Sequence, residues 1–228
     1  MGNKLLFGLS ANPPHEGHRQ LLVAVVGALA ARGVPLAELV LMPVYQRHQT
    51  GDIDKGALSA NYEERVAWCW GLAEAVAEEI DADGVLIGVS QLERGLALAR
   101  GGPNYTVETL AHLQAEGPTD QWFVLLSSDL VSGAEPEIGR WYETTRLPQL
   151  ATVVVCVRPG YPVNERFLAE WGGNGRYLLL DDLPPLPAIA SRALRARLAA
   201  GECGADLARA GLVPWAVAQR MDEALRRQ

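Results

Sequence analysis

Two histidines three residues apart, His15 and His18 in "NPPHEGH", lie between an apolar run and a second, helix-like apolar run. A loop that only joins a strand to a helix needs neither. Imidazoles at a helix start can donate hydrogen bonds to phosphate oxygens, and the free amides and dipole of that helix end favour an anion. Gly17 between them lets a phosphate approach the backbone closely. The plainer reading of the same pair is a surface turn residue and a helix-capping residue. A metal site is a weaker reading, because no third ligand is nearby and structural zinc wants cysteine or more histidine. The chain has no G-x-x-x-x-G-K-[ST] loop, no G-x-G-x-x-G and no G-x-S-x-G elbow, which removes the P-loop, the ordinary dinucleotide fingerprint and the serine-hydrolase elbow.

The elements that must position the pair alternate along the chain. Short apolar runs at 4–9, 38–44, 84–89, 122–127, 152–157 and 176–180 read as strands, most of them apolar throughout, as in strands covered on both faces. Helical segments are expected at 17–31, 61–80, 106–116 and 164–171. The second carries Tyr62, Val66, Trp70, Ala73 and Val76 at helical spacing. This order predicts an α/β fold: a doubly wound, Rossmann-like, mostly parallel sheet of about six strands. After "DDLPPLP" the pattern changes to a helical C-terminal segment, with helices at about 190–200, 204–210 and 214–226. In such sheets ligands bind beyond the carboxyl ends of the strands, near the point where strand order reverses, and the histidine loop occupies that kind of position. The polar segment 45–64, which holds His48 and Lys55, reads as a long loop near the site.

Composition narrows the classes. At 228 residues the chain has room for one large domain, and a formal net charge of −7 argues against a nucleic-acid binder working by general attraction. A local basic pocket for a small anion is still compatible with it. Cys69, Cys156 and Cys203 form no Cys-x-x-Cys pair and read as thiols in a reducing compartment. The longest nearly apolar stretch, 21–31, is well short of a membrane span. The expectation is a cytoplasmic protein without a membrane segment or a nucleic-acid partner. The C-terminal face of Val213, Val217, Met221 and Leu225 packs inside the subunit or forms a homo-oligomer, with internal packing preferred.

"GLSANPPHEGH" (8–18) resembles the G-G-x-F-D-P-P-H-x-G-H signature of the HxGH nucleotidyltransferase superfamily, and within it the nicotinate or nicotinamide mononucleotide adenylyltransferases. Three further stretches agree in order: "PNYTVETL" (103–110), the stretch 123–161 with "SSD", a tryptophan and a strand ending in "RPG", and "IASRALRARLAAGE" (189–202) followed by "GLVPWAVAQRM". The resemblance covers nearly the whole chain. It implies one nucleotidyltransferase domain over 1–228, with an α/β core over 1–181 and a helical subregion over 182–228 that completes the ATP site. The implied activity is adenylyl transfer from ATP to a pyridine mononucleotide, giving the dinucleotide and pyrophosphate by direct in-line attack, with Mg²⁺ on the phosphates and no metal ligands in the protein. The rival readings are nucleotidyl transfer from ATP or CTP to another phosphorylated small molecule, and a nucleotide-binding homologue with impaired turnover.

The resemblance also implies the site. His15 and His18 are the catalytic grip on the ATP phosphates, joined on the ATP side by Gly8, Leu9, Ser191, Arg192 and Arg195, with Arg195 expected at a helix start. On the mononucleotide side stand Ser10, Tyr105, Thr106, Asp129, Trp141 and Arg158, with Trp141 stacking on the pyridine ring. Each has a plainer alternative: Trp141 as core, Thr106 as a helix N-cap, Asp129 as a cap after the fourth strand, and Arg158 as the partner of a carboxylate. The chain also departs from the pattern. Leu9 stands for a glycine and is expected to crowd the ligand. Ala11 replaces an aromatic, Asn12 an aspartate, and Ser127-Ser128-Asp129 replaces G-A-D. Ala190 and Arg192 stand where hydroxyl residues belong.

Overall fold

The computed structural model describes residues 2–46, 58–80, 84–173 and 176–226. Six strands form one sheet: β1 (Asn3–Leu9), β2 (Leu36–Pro43), β3 (Leu86–Val89), β4 (Gln121–Ser127), β5 (Thr152–Cys156) and β6 (Tyr177–Leu180). Their order is β3-β2-β1-β4-β5-β6 and every pairing is parallel. All six expected strands are present, with ends shifted by up to two residues. Continuous apolar runs such as "TVVVC" form strands here because both faces are covered, so neither face selects polar residues.

Side chains alternate across the sheet and feed two cores. Leu5, Phe7, Leu9, Phe123, Leu125 and Cys156 face helices α1 (Glu16–Ala31) and α2 (Tyr62–Ala77) and the C-terminal helices α7 (Ser191–Ala199), α8 (Gly204–Arg209) and α9 (Trp215–Leu225). Leu6, Val124, Leu126, Val153 and Val155 face the other way, toward α4 (Thr106–Glu116), α5 (Leu147–Leu150) and α6 (Glu165–Gly172). Val213, Val217 and Met221 are buried in the first core, and the Leu225 side chain lies outside the described ones. Helix α9 lies directly on α2: a Cβ added to Gly71 would come within 2.6 Å of the Ala216 carbonyl oxygen.

Helix α2 corrects one expectation. Trp70 is 41% exposed, while Arg65, Trp68, Cys69 and Leu72 are buried. Tyr62, Val66, Ala73 and Val76 are buried as expected, so the buried face is wider than that spacing, and it includes a charged residue, Arg65. Helix α3 (Leu92–Arg100) was not expected at all. It is short, Gly95 interrupts it, and only Ala97 of its nine residues is buried. His48 and Lys55 lie outside the described residues. Among those described, no helix is long and apolar enough to cross a membrane.

The reversal of strand order falls between β1 and β4. These two pair only as far as Leu6 and Val124. Beyond that point β1 continues on β2 to Leu9–Pro43, and β4 continues on β5 to Ser127–Cys156. The sheet splits at its carboxyl edge, and the split is the crevice into which the histidine loop opens.

Candidate active site at the sheet switch point

The loop after β1 is held from three sides. Ser10 gives its carbonyl to Arg65 Nη1 at 3.1 Å, Asn12 gives its carbonyl to Arg195 Nη1 at 2.9 Å, and Pro13 accepts from Ser191 Oγ at 3.0 Å. Ser59 Oγ donates to Asn12 Oδ1 at 2.9 Å. Ala11 is buried at φ +50°, a left-handed conformation that an alanine adopts only when its surroundings impose it. So many clamps on six residues give the loop one shape before any ligand arrives.

That shape places His15 at the N-cap of α1 and His18 in its first turn. Their rings lie against each other with centroids 3.7 Å apart, tilted by 34°, and the His18 ring lies 6.1 Å from that of Phe7. His18 Nδ1 accepts the backbone N–H of His15 at 3.1 Å, which fixes the proton of the neutral ring on Nε2. The capping reading of His18 therefore holds, and the cap is what orients the ring. His15 is buried, not a surface turn residue, and its Nδ1 has no partner among the described residues. Burial pushes its pKa down to about 4, with the nearby positive charge of Arg158 acting in the same direction and Glu16 opposing. His18 is held well below its ordinary value by burial, by His15 and by Arg158. Both rings are neutral near pH 7, and each can present a ring N–H as a donor.

Gly17 also has a purpose within the fold. A Cβ there would stand 3.1 Å from His15 Nδ1, 3.2 Å from its Cε1 and 3.4 Å from the Pro187 carbonyl oxygen. The missing side chain makes room for the His15 ring. Leu9 is corrected: it is buried in the core facing α1, so it crowds nothing in the crevice. Gly8, one residue earlier and on the opposite face, is exposed, with open space where a Cβ would be. Strand alternation assigns the two positions their opposite roles.

Arg195 lies in the second turn of α7, not at its start, and spends one nitrogen on the loop. Arg192 is exposed in the first turn of that helix, and Ala190 is its N-cap with no side-chain bond to offer. At the far wall, Ser128 Oγ accepts the Arg158 N–H at 2.9 Å and donates to the Tyr161 carbonyl at 2.9 Å, tying β4 to the turn after β5. Arg158 pairs with Asp129 at 3.5 Å, which favours the carboxylate-partner reading in the unliganded chain. Asp129 lies within a 3₁₀ turn (Ser128–Val131) whose N-cap is Ser127, so it is not a cap. Thr106 is not an N-cap either. Tyr105 holds that position and gives its N–H to Glu108 at 3.1 Å, one residue earlier than the Thr106 register. Trp141 is half-buried, with one side against the second core. Tyr142 beside it stacks on Tyr105 at 4.3 Å, joining the tryptophan loop to α4.

Sequence reasoning missed Arg65 and Tyr142. Arg65 carried a readable signal, a charged residue three positions after Tyr62 and four before Cys69 on a buried helix face. Tyr142 carried none beyond its neighbours.

A parallel sheet in this order, with a histidine pair at a helix N-terminus over the switch point, is the arrangement of an α/β nucleotidyltransferase of the HxGH class. No protein-family model matches the chain. A curated relative from Anaeromyxobacter dehalogenans (strain 2CP-C), "Probable nicotinate-nucleotide adenylyltransferase", is 32% identical over 218 residues, covering 95% of this chain and 94% of that protein. A relative of the same name from Thermus thermophilus is 34% identical over 160 residues, covering 70% and 72%. The chain belongs to the nicotinate-nucleotide adenylyltransferase family. Its fold also matches solved structures of the Plasmodium falciparum nicotinic acid mononucleotide adenylyltransferase. The complex with APC has a TM-score of 0.71 at 15% identity, covering 98% of this chain and 96% of that one, and the complex with NaAD has a TM-score of 0.66.

Proposed function

We propose that this protein transfers the adenylyl group of ATP to nicotinate mononucleotide, forming the dinucleotide and pyrophosphate. The observation that carries the reading is the close, neutral His15–His18 pair at the N-terminus of α1, beside the crevice between β1 and β4. In this reaction an oxygen of the acceptor phosphate forms a bond to the α-phosphorus of ATP while the bond to the bridging oxygen of the β-phosphate breaks. No group on the protein needs to become covalently attached, so catalysis rests on positioning and on donors aimed at developing charge.

In this reading the N–H groups of His15 and His18 meet the leaving phosphates, and the amides that begin α1 add to them. Arg195, Ser191 and Arg192 line the ATP side. Gly8, with no side chain, lets the nucleotides lie against β1, with the backbone at Leu9 and Ser10 continuing that surface. Arg158 and Asp129 form the acceptor wall, and Trp141, with Tyr105 and Thr106, borders the pyridine. A divalent cation enters with the nucleotide as the magnesium–ATP substrate; among the described residues no three His, Cys, Asp or Glu side chains stand together to hold one. The whole chain acts as one domain, because the C-terminal helices share the first core and clamp the histidine loop. Three free thiols and an ATP-consuming reaction fit a cytoplasmic setting.

The test is pyrophosphate release from magnesium–ATP with nicotinate mononucleotide, nicotinamide mononucleotide or phosphopantetheine as acceptor. Turnover is expected with the nicotinate compound above the others. Release with phosphopantetheine alone, or with none of the three, overturns the reading.

A further inference from the structure

The crevice contains a hydroxyl that no described part of the fold uses. Ser127 is the last residue of β4, just beyond the point where β4 parts from β1. It pairs with Cys156, and strand alternation puts its side chain on the face of Phe123 and Leu125, the same face as Phe7 and α1. Its Oγ is buried from solvent with no hydrogen-bond partner among the described residues. The neighbouring Ser128 hydroxyl, by contrast, makes two hydrogen bonds and is fully buried. The two adjacent serines are thus in opposite states.

Leaving a buried hydroxyl unsatisfied is costly, and a strand end is easily built without one. Of the buried side-chain polar atoms that lack partners among the described residues, two belong to the crevice, His15 Nδ1 and Ser127 Oγ. They stand on the same face of the sheet, on the two sides of the split. Arg158, whose charge acts on both histidines, follows β5 two residues after the strand partner of Ser127. Ser127 as a whole is only half-buried, so one rotation about its Cα–Cβ bond turns the hydroxyl between protein and crevice without moving backbone.

We propose that Ser127 is a substrate-contacting residue whose hydroxyl donates a hydrogen bond to a phosphate oxygen of a bound nucleotide, between the histidine pair and Arg158. The assignment rests on the nucleotide-binding reading of the crevice. Its ligand chemistry is a phosphate monoester or anhydride oxygen, supplied either by the acceptor's phosphate or by the α-phosphate of ATP.

The test compares wild type with Ser127→Ala and Ser127→Thr. Calorimetric titrations use nicotinate mononucleotide and a non-hydrolysable ATP analogue separately, alongside steady-state kinetics and thermal unfolding. A hydrogen bond to a charged oxygen predicts roughly 10- to 100-fold weaker binding or kcat/KM in the alanine variant, with Thr restoring most of it. The melting temperature should be unchanged or raised, because the alanine removes an unsatisfied group. Weakening confined to the mononucleotide assigns the contact to the acceptor phosphate, and weakening confined to the ATP analogue assigns it to ATP. Unchanged binding of both, or a loss of binding matched by a fall in melting temperature, overturns the proposal. Should wild type bind both nucleotides yet release no pyrophosphate, the adenylyl-transfer reading fails while the binding comparison still decides the role of Ser127.

Discussion

Two polar clusters are buried against the loop that leaves β1, and they are connected in opposite ways. His15 and His18 use one ring nitrogen for a local cap, and His15 Nδ1 is left without a partner among the described residues. Arg65, 2% exposed, commits its guanidinium to the carbonyls of Ser10, Val44 and Tyr45, at 3.1, 2.6 and 3.5 Å. Glu93 completes the second cluster by accepting the Tyr45 N–H at 2.9 Å. Both clusters are desolvated. Arg65 offsets much of that cost with its three carbonyl partners, whereas His15 Nδ1 has none among the described residues. In the proposed reaction the first cluster positions the loop and the second meets the phosphates.

The comparison breaks most sharply at Arg65. Arg65→Met leaves three carbonyls at the loop bases without their donor, and is expected to cost about 3–5 kcal/mol, or about 10 °C in melting temperature. Thermal unfolding checks it; a wild-type melting temperature would show that the clamp is dispensable. His18→Ala should do the reverse. In the proposed reaction it removes a donor to the leaving phosphates, so kcat/KM is expected to fall about 10²- to 10³-fold while the melting temperature stays within a few degrees. A near-wild-type rate would remove His18 from the grip.

Proton linkage separates the clusters by sign. His15, depressed to about 4 in the fold, is protonated earlier in the unfolded chain. The stability it contributes is full above pH 6.5 and is lost as pH falls from 6.5 toward 4, by about 3 kcal/mol. Glu93 is raised to about 7, chiefly by burial, so the folded chain keeps its proton longer than the unfolded one. Its effect runs the other way: stability is lost as pH rises from about 4.5 through 7. Melting temperatures between pH 4 and 8 should rise more steeply toward neutrality in Glu93→Gln than in wild type, and less steeply in His15→Gln. Parallel curves for all three proteins would refute the assignment.

The smallest effect is at Gly17. Gly17→Ala presses a methyl group against the His15 ring while giving α1 a better helix former. Activity is expected to fall about 10-fold with stability unchanged or up to about 1 kcal/mol higher, measured by kcat/KM beside thermal unfolding. Equal activity in both proteins would mean that the ring position is not critical.

Much of this was legible in the residues themselves. Six apolar runs separated by helical segments predict the parallel sheet, because strands buried on both faces have almost no freedom in composition. The spacing of His15 and His18 after the first run places them at a helix start over the carboxyl edge, since the loop between is too short to go elsewhere. The departures were harder. Leu9 and Gly8 exchange roles through a one-residue alternation that a motif comparison cannot orient. The expectations for Arg195, Thr106 and Asp129 each missed their place in a helix or turn by one to four residues, because element ends depend on local hydrogen bonds that spacing does not specify.

By itself, the sequence determined the strands and most of the helices, the paired imidazoles and the family, all of which follow from short-range pattern. Tertiary structure alone decided which groups are used up and which are kept. Arg195 meets Asn12 across 183 positions and Ser191 meets Pro13 across 178, and those bonds shape the loop that holds the histidines. Whether a buried hydroxyl or ring nitrogen finds a partner depends on such distant neighbours. The chemistry of the crevice is therefore written in residue types, and its readiness in contacts that no local reading contains.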